Sequence, residues 1–97
     1  MEISTERAER LLNGLKIDLG ITTATAYDER LKAYLQAAAD EIERQGATLS
    51  EETVEGNLII QAYAAWKWRG RDEQGAMPRA LRRSINDLIF SQKMREG

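Results

Sequence analysis

The strongest local signal in this 97-residue chain is a pair of tryptophans two positions apart, in the run Ala64-Ala65-Trp66-Lys67-Trp68-Arg69-Gly70. Residues two apart on a helix point about 200° away from each other, so both indoles cannot face one core. The spacing predicts Trp66 inside and Trp68 toward a loop or a neighbouring subunit. Tryptophan next to arginine is the composition of interface hot spots, and Arg69 and Arg71 flank the pair. The plain alternative has Trp68 packing under the loop from Gly70 to Met77.

A second constellation is basic: Lys67, Arg69 and Arg71, then Arg79, Arg82 and Arg83. Lys and Arg along a helix and a loop could neutralise several phosphates, with binding that weakens steeply with salt. Against a DNA-binding domain stand a sequence pI of about 5.2 and a connection between the third and fourth helices longer than the turn of a helix-turn-helix. An arginine-rich contact with acidic surfaces of a subunit or partner fits better.

Catalytic readings are weak. Asp40, Glu41 and Glu43 are adjacent on a helix and point in different directions, and the calcium-loop pattern of alternating acids closed by glycine is missing. A solvated acidic helix face accounts for them. With no histidine and no cysteine, disulfides, zinc fingers, thiol chemistry and His-based acid–base catalysis are excluded. A serine nucleophile would lack its usual base, and the seven glycines form no phosphate-binding loop. The expectation is a protein that is not an enzyme and uses no metal and no cofactor.

Four helical stretches must position these residues. The first runs from Ser4 or Thr5 to Leu15 or Asp18, with Ala8, Leu11, Leu12 and Leu15 on one side and Gly20 as a left-handed cap that folds Ile21 back. Thr25 is the expected N-cap of the second, with Asp28 in the reciprocal role. Tyr27, Leu31, Tyr34, Leu35, Ala38 and Ile42 share one face of it, and Gly46 ends it. Ser50 is the expected N-cap of the third, with Glu51 and Glu52 in its first turn. That helix is apolar nearly all round: Val54, Leu58, Ala62, Ala65 and Trp66 form one stripe, while Ile60, Ala64 and Trp68 project elsewhere. Three neighbours in a small domain can surround it only partly, and the remainder suggests a subunit contact. Pro78 fits the first position of the fourth helix, whose core stripe is Leu81, Ile85, Leu88 and Ile89; Arg79, Arg82, Arg83, Phe90 and Lys93 lie mostly away from it. No segment alternates with period two, so residues 1–97 should form one all-α domain, a small bundle of about four helices with a long central helix and a C-terminal helix.

Net charge is only −2, but it hides a gradient. Residues 1–56 carry twelve acidic and six basic side chains; residues 57–97 carry four and eight. Unlike halves can pair with copies of the same chain or with a polyanion. No apolar run is long enough for a membrane span, and the acidic, polar start Met1-Glu2-Ile3-Ser4-Thr5-Glu6 has no signal-peptide core. A soluble, intracellular protein is expected.

Tyr27-Asp28-Glu29-Arg30-Leu31 opening a long helix, the run Ile60 to Arg69, Met77-Pro78-Arg79-Ala80-Leu81, and Ile85 to Met94 together resemble the small head–tail connector proteins (adaptor, or head-completion) of long-tailed double-stranded DNA phages and prophages. The likeness spans about residues 1–95. It implies an all-α subunit assembling as a ring of about twelve or thirteen copies beneath the portal protein, presenting a platform to the next connector, stopper or tail protein. DNA would pass through the channel without being read. The location implied is the virion head–tail junction, with the bacterial host cytoplasm during assembly. In that family the C-terminal part engages the portal, which points here to Phe90, Lys93 and Met94 within the segment Phe90 to Gly97.

A ring needs two different faces of each subunit to meet. The expected joint has Trp68, Arg69, Arg71, Arg79 and Arg83 on one side and Glu29, Asp40 and Glu43 on the other. The competing readings are a small helical DNA-binding regulator using the basic fourth helix, a helical partner-binding module without a ring, and an orphan enzyme.

Overall fold

The computed structural model describes residues 1–71 and 75–96. Four helices follow one another: α1 (Thr5–Leu19), α2 (Asp28–Arg44), α3 (Val54–Arg69) and α4 (Arg79–Glu96). The described residues contain no strand, and the chain is a small all-α bundle. Of the loop between α3 and α4, residues 72–74 lie outside the described residues, as does residue 97 of the C-terminal segment.

α3 is the central helix, in contact with each of the other three. It is not the longest: α2 has 17 residues and α4 has 18, against 16 in α3. α1, α2 and α3 also pack on one another, whereas α4 leans chiefly on α3. Leu11 and Leu15 of α1, Leu31, Leu35 and Ile42 of α2, Ile60 of α3 and Ile85 of α4 lose essentially all contact with solvent. The expected faces of α1, α2 and α4 are the buried ones, with Ile89 half-buried at the edge of the α4 stripe; Tyr27, expected on the α2 face, instead stands just before that helix and is 46% exposed.

The first helix starts as its sequence suggests, with the Ser4 hydroxyl accepting from the Arg7 amide at 3.2 Å. It ends at Gly20, whose φ of 72° puts it in the left-handed conformation; Ile21 turns back to donate to the Lys16 carbonyl and packs on the core.

Two caps differ from expectation. Thr25 does not cap α2: the helix begins at Asp28, no side chain caps it, and Thr25 accepts from the Asp28 amide through its backbone carbonyl. The Asp28 carboxylate is occupied instead by the Lys16 ammonium at 2.9 Å, because Lys16 is largely buried and a buried cation needs an opposite charge. Ser50 does not cap α3 either. Thr53 does, its hydroxyl accepting from the Gly56 amide at 2.9 Å, and the first-turn acid is Glu55 rather than Glu51 or Glu52. The reason is Leu49, which is fully buried. Carrying Leu49 inward uses up the backbone that would otherwise have started the helix. A Cβ on Gly56 would stand 3.0 Å from the Thr53 hydroxyl and 3.3 Å from Leu49, so glycine makes room for both. Pro78 sits one residue before α4, its carbonyl accepting from Arg82.

The largest correction concerns α3. Trp68, not Trp66, is inside: Trp68 is 7% exposed, while Trp66 is half-buried. The stripe headed by Val54 and Leu58 faces outward, with those two side chains 78% and 59% exposed and Ala62 exposed beside them. The core side carries Ile59, Ile60, Tyr63, Ala64, Ala65 and Trp68. Trp68 wins because α2 and the residue that precedes it offer two aromatic rings. Tyr27 and Tyr34 meet it in T-shaped contacts with centroids 5.5 and 5.3 Å away, an arrangement that adds about 0.5–1.5 kcal/mol per pair to the burial itself.

Two outcomes test this packing. Trp68→Ala should cost about 3–5 kcal/mol of unfolding free energy in a denaturant titration, with Trp66→Ala costing clearly less. Gly14 lies within α1, where alanine would ordinarily gain about 1 kcal/mol. A Cβ there, however, would fall 2.2 Å from the buried Gln61 amide nitrogen, which donates to the Leu11 carbonyl at 3.4 Å. Gly14→Ala is therefore expected to destabilise, and to become stabilising once Gln61→Ala is present, in a double-mutant cycle.

Candidate functional site

Among the described residues no group of three or more acidic side chains is placed to hold a metal ion, and no helix is long and apolar enough to cross a membrane. The features left are surfaces, and they divide the expected interface residues into those already engaged and those still open.

The engaged group starts with Trp68, now buried. Arg71 lays its guanidinium 4.2 Å over the Trp68 ring and donates to the Trp68 carbonyl at 2.6 Å, closing the end of α3. Arg69 donates to the Asp18 carbonyl at 2.9 Å, which ties α3 to α1. Asp40 and Glu43 hold the N-terminal ammonium at 3.3 and 3.1 Å, and Glu43 also accepts from the Leu49 amide. Five of the eight residues expected at the joint, Trp68, Arg69, Arg71, Asp40 and Glu43, thus already make contacts within the subunit, though not with one another across that joint.

The N-terminal strap recruits further groups. Gln36 bonds both the Met1 carbonyl and the Ile3 amide, so Met1 to Ile3 lie along α2. The two carboxylates hold the α-ammonium above its ordinary value of 8.0: the hydrogen bond it donates to Glu43 contributes most, then that to Asp40. At the other edge, Arg10 and Asn57 both reach the Glu52 carboxylate. The hydrogen bond from Arg10, then that from Asn57, pulls Glu52 down to about 2. Arg7, buried without a carboxylate partner among the described residues, is spread over the Leu49 carbonyl at 2.5 Å and the Asn57 amide oxygen at 3.1 Å.

Three surfaces remain open. The first is a groove of about 690 Å3 over the outer face of α3, floored by Leu58, Ala62, Ala65 and Trp66 and walled by Asp18 on one side and Pro78, Ala80, Leu81 and Ser84 of α4 on the other. Val54 and Leu58 continue its apolar floor toward the start of α3, where Glu51 and Glu55 are exposed. The second is the outer face of α4. Phe90 and Met94, one turn apart, are each 66% exposed, and Arg79, Arg82, Arg83 and Lys93 stand exposed around them. None of these four makes an ion pair among the described residues. The third is the start of α2, where Glu29 is open to solvent and only loosely approached by Lys32 at 3.7 Å.

Of the expected interface set, Arg79, Arg83 and Glu29 are therefore open, as are Phe90, Lys93 and Met94. Sequence reasoning takes Glu51 only as a first-turn charge and gives Glu55 no role, although both flank the exposed Val54.

The N-terminal strap makes a pH prediction. Because its folded value is raised, the ammonium stabilises the fold fully below about pH 8, its ordinary value, and that contribution is lost as pH rises through the raised value. Melting temperature should fall between neutral and alkaline pH more steeply for the native chain than for chain acetylated at the Met1 amine, whose baseline will be lower at neutral pH. Compared with known proteins, the chain matches no family model, no curated protein and no solved structure.

Proposed function

We propose that the chain is a structural subunit that acts by self-association: a head–tail connector of a phage or prophage, built into a ring that docks on the portal protein and continues the DNA channel toward the next connector or tail protein. One observation carries this reading. Large apolar side chains stay uncovered on two unlike faces, Val54 and Leu58 on α3 and Phe90 and Met94 on α4, the first beside the acidic Glu51 and Glu55 and the second beside Arg79, Arg82, Arg83 and Lys93, which outnumber Asp87 on that helix. Two different faces that fit each other generate a ring or a filament rather than a two-fold dimer. Covering each such side chain is worth about 1.5–3 kcal/mol at most, so several must be buried together before a stable assembly results. The resemblance in residues 60–69 and 77–94 selects the connector among ring-forming proteins. In this reading the role is docking and sealing, with no reaction catalysed and no cofactor.

The basic face of α4 also favours a second reading, a helical DNA-binding regulator. Arg79, Arg82 and Arg83 project from adjacent turns with no acidic partner among the described residues, an arrangement suited to phosphates.

Light scattering across concentration and salt separates the two. The connector predicts a closed species near twelve or thirteen times 11.0 kDa, formed by the chain alone or when purified portal protein is added. The regulator predicts a monomer or dimer that binds duplex DNA with an affinity falling steeply as salt rises. A chain that stays monomeric with portal protein present, and does not bind it, overturns the connector.

A further inference from the structure

We propose that the last two turns of α4, carrying Phe90 and Met94, dock in the α3 groove of a second copy of this chain, with Lys93 and Arg83 set against Glu55 and Glu51 at the start of that groove. The inference rests on the self-association in the reading above and specifies which two surfaces meet.

Helical spacing makes each surface a coherent strip. Val54 and Leu58 are four apart, so their side chains lie one above the other on α3; Glu55 stands one turn before Leu58 on the same face, and Ala62 one turn after. On α4, Phe90 and Met94 are four apart, Arg83 lies two turns before Phe90, and Lys93 is three residues after it. The first strip is apolar and acidic at its open end; the second is apolar and predominantly basic, with Asp87 one turn before Phe90.

Charge decides which copy meets which. Glu51 and Glu55 make no ion pair among the described residues, and neither do Arg79, Arg82, Arg83 and Lys93. A two-fold arrangement of α4 on α4 would set Arg79, Arg82, Arg83 and Lys93 against the same four, with Asp87 as the one exposed carboxylate between them among the described side chains. A two-fold arrangement of α3 on α3 would oppose carboxylates. α4 on α3 opposes two carboxylates to the basic strip over the apolar pairs, a better match of sign than either two-fold arrangement. The groove suits such an occupant: its floor is small and flat, with Ala62 and Ala65 between Leu58 and Trp66, and the α4 wall contributes no charged side chain, being Pro78, Ala80, Leu81 and Ser84. Arg69, the cation within it, is already bonded to the Asp18 carbonyl.

The absence of cysteine from the chain gives a clean test. Ala62→Cys places a thiol on the groove floor, and Asn86→Cys places one a turn before Phe90; both positions are exposed and neither is an apolar anchor. The two single variants, each checked for native helicity, are treated with a flexible bis-maleimide at millimolar protein, separately and mixed. The expected result is cross-linked dimer in the mixture at a yield at least tenfold above either variant alone. Adding Glu55→Lys to the groove variant should abolish that yield, and Lys93→Glu in its partner should restore it. Equal yields with and without mixing, or no cross-link at all, overturn the pairing. Its failure is distinguishable from failure of the connector reading. A closed ring seen by light scattering without the mixed cross-link removes this pairing alone. A mixed cross-link in an open, ever-growing series of species keeps the pairing and removes the connector.

Discussion

α3 is apolar on almost every side, and the described residues supply only three other helices to surround it. α2 takes the side that carries Trp68, with Tyr27 and Tyr34 as its edge partners. α1 takes the side of Gln61, which enters the space left by Gly14. α4 takes a third side through Leu81, Ile85 and Leu88. The sector between α1 and α4 is left without a helix, and Leu58 and Ala62 lie there as the floor of a groove. Because α4 has α3 as its chief neighbour, its own far side is bare as well, and Phe90 and Met94 follow from that. Both open surfaces derive from one shortage, that of covering helices around the most apolar one.

Charge is distributed around that core in two regimes. At the edges of the α1–α2–α3 unit it is committed: Lys16 to Asp28, Arg10 to Glu52, the N-terminal ammonium to Asp40 and Glu43. These pairs join segments far apart in sequence, and those that are partly desolvated fix the chain's register where apolar contacts alone would permit sliding. Along α4 the cations have no such partners among the described residues. The acidic first half of the sequence has therefore been largely spent on its own basic residues, leaving Glu51, Glu55 and Glu29 among the carboxylates still available.

This division explains what could be read from the sequence. Four helices, their order and the buried faces of α1, α2 and α4 follow from a 3.6-residue apolar period, and each of those helices has a clear polar side. The period fails for α3 because an all-round apolar helix has no preferred face. Which of Trp66 and Trp68 turns inward depends on where Tyr27 and Tyr34 sit, information carried by another helix. The caps failed for a related reason. Ser50 and Thr25 have the right side chains, but Leu49 has to reach the core and Lys16 needs a counter-charge, and both demands are tertiary. The same holds for Asp40 and Glu43. A carboxylate on a polar helix face reads as free until the strap that crosses it is known.

Opposite charge on the two open strips determines order more than strength. An exposed ion pair is worth about 0–1 kcal/mol, so Glu51 and Glu55 against Arg83 and Lys93 would contribute little to holding two copies together. Reversing the arrangement, with like against like, carries a larger penalty because the cations of α4 are many and close together. In the proposed assembly the apolar residues Val54, Leu58, Phe90 and Met94 would supply the attraction and the charges would disfavour the symmetric alternatives, so that head-to-tail growth satisfies both. Whether such growth closes depends only on the angle between successive copies. That angle is set by how α4 lies across α3 within one subunit, clamped by the Gln92 side chain, which bonds both the amide and the carbonyl of Thr48 at 2.7 Å. In that assembly a contact inside the subunit would fix the direction in which a neighbour is presented.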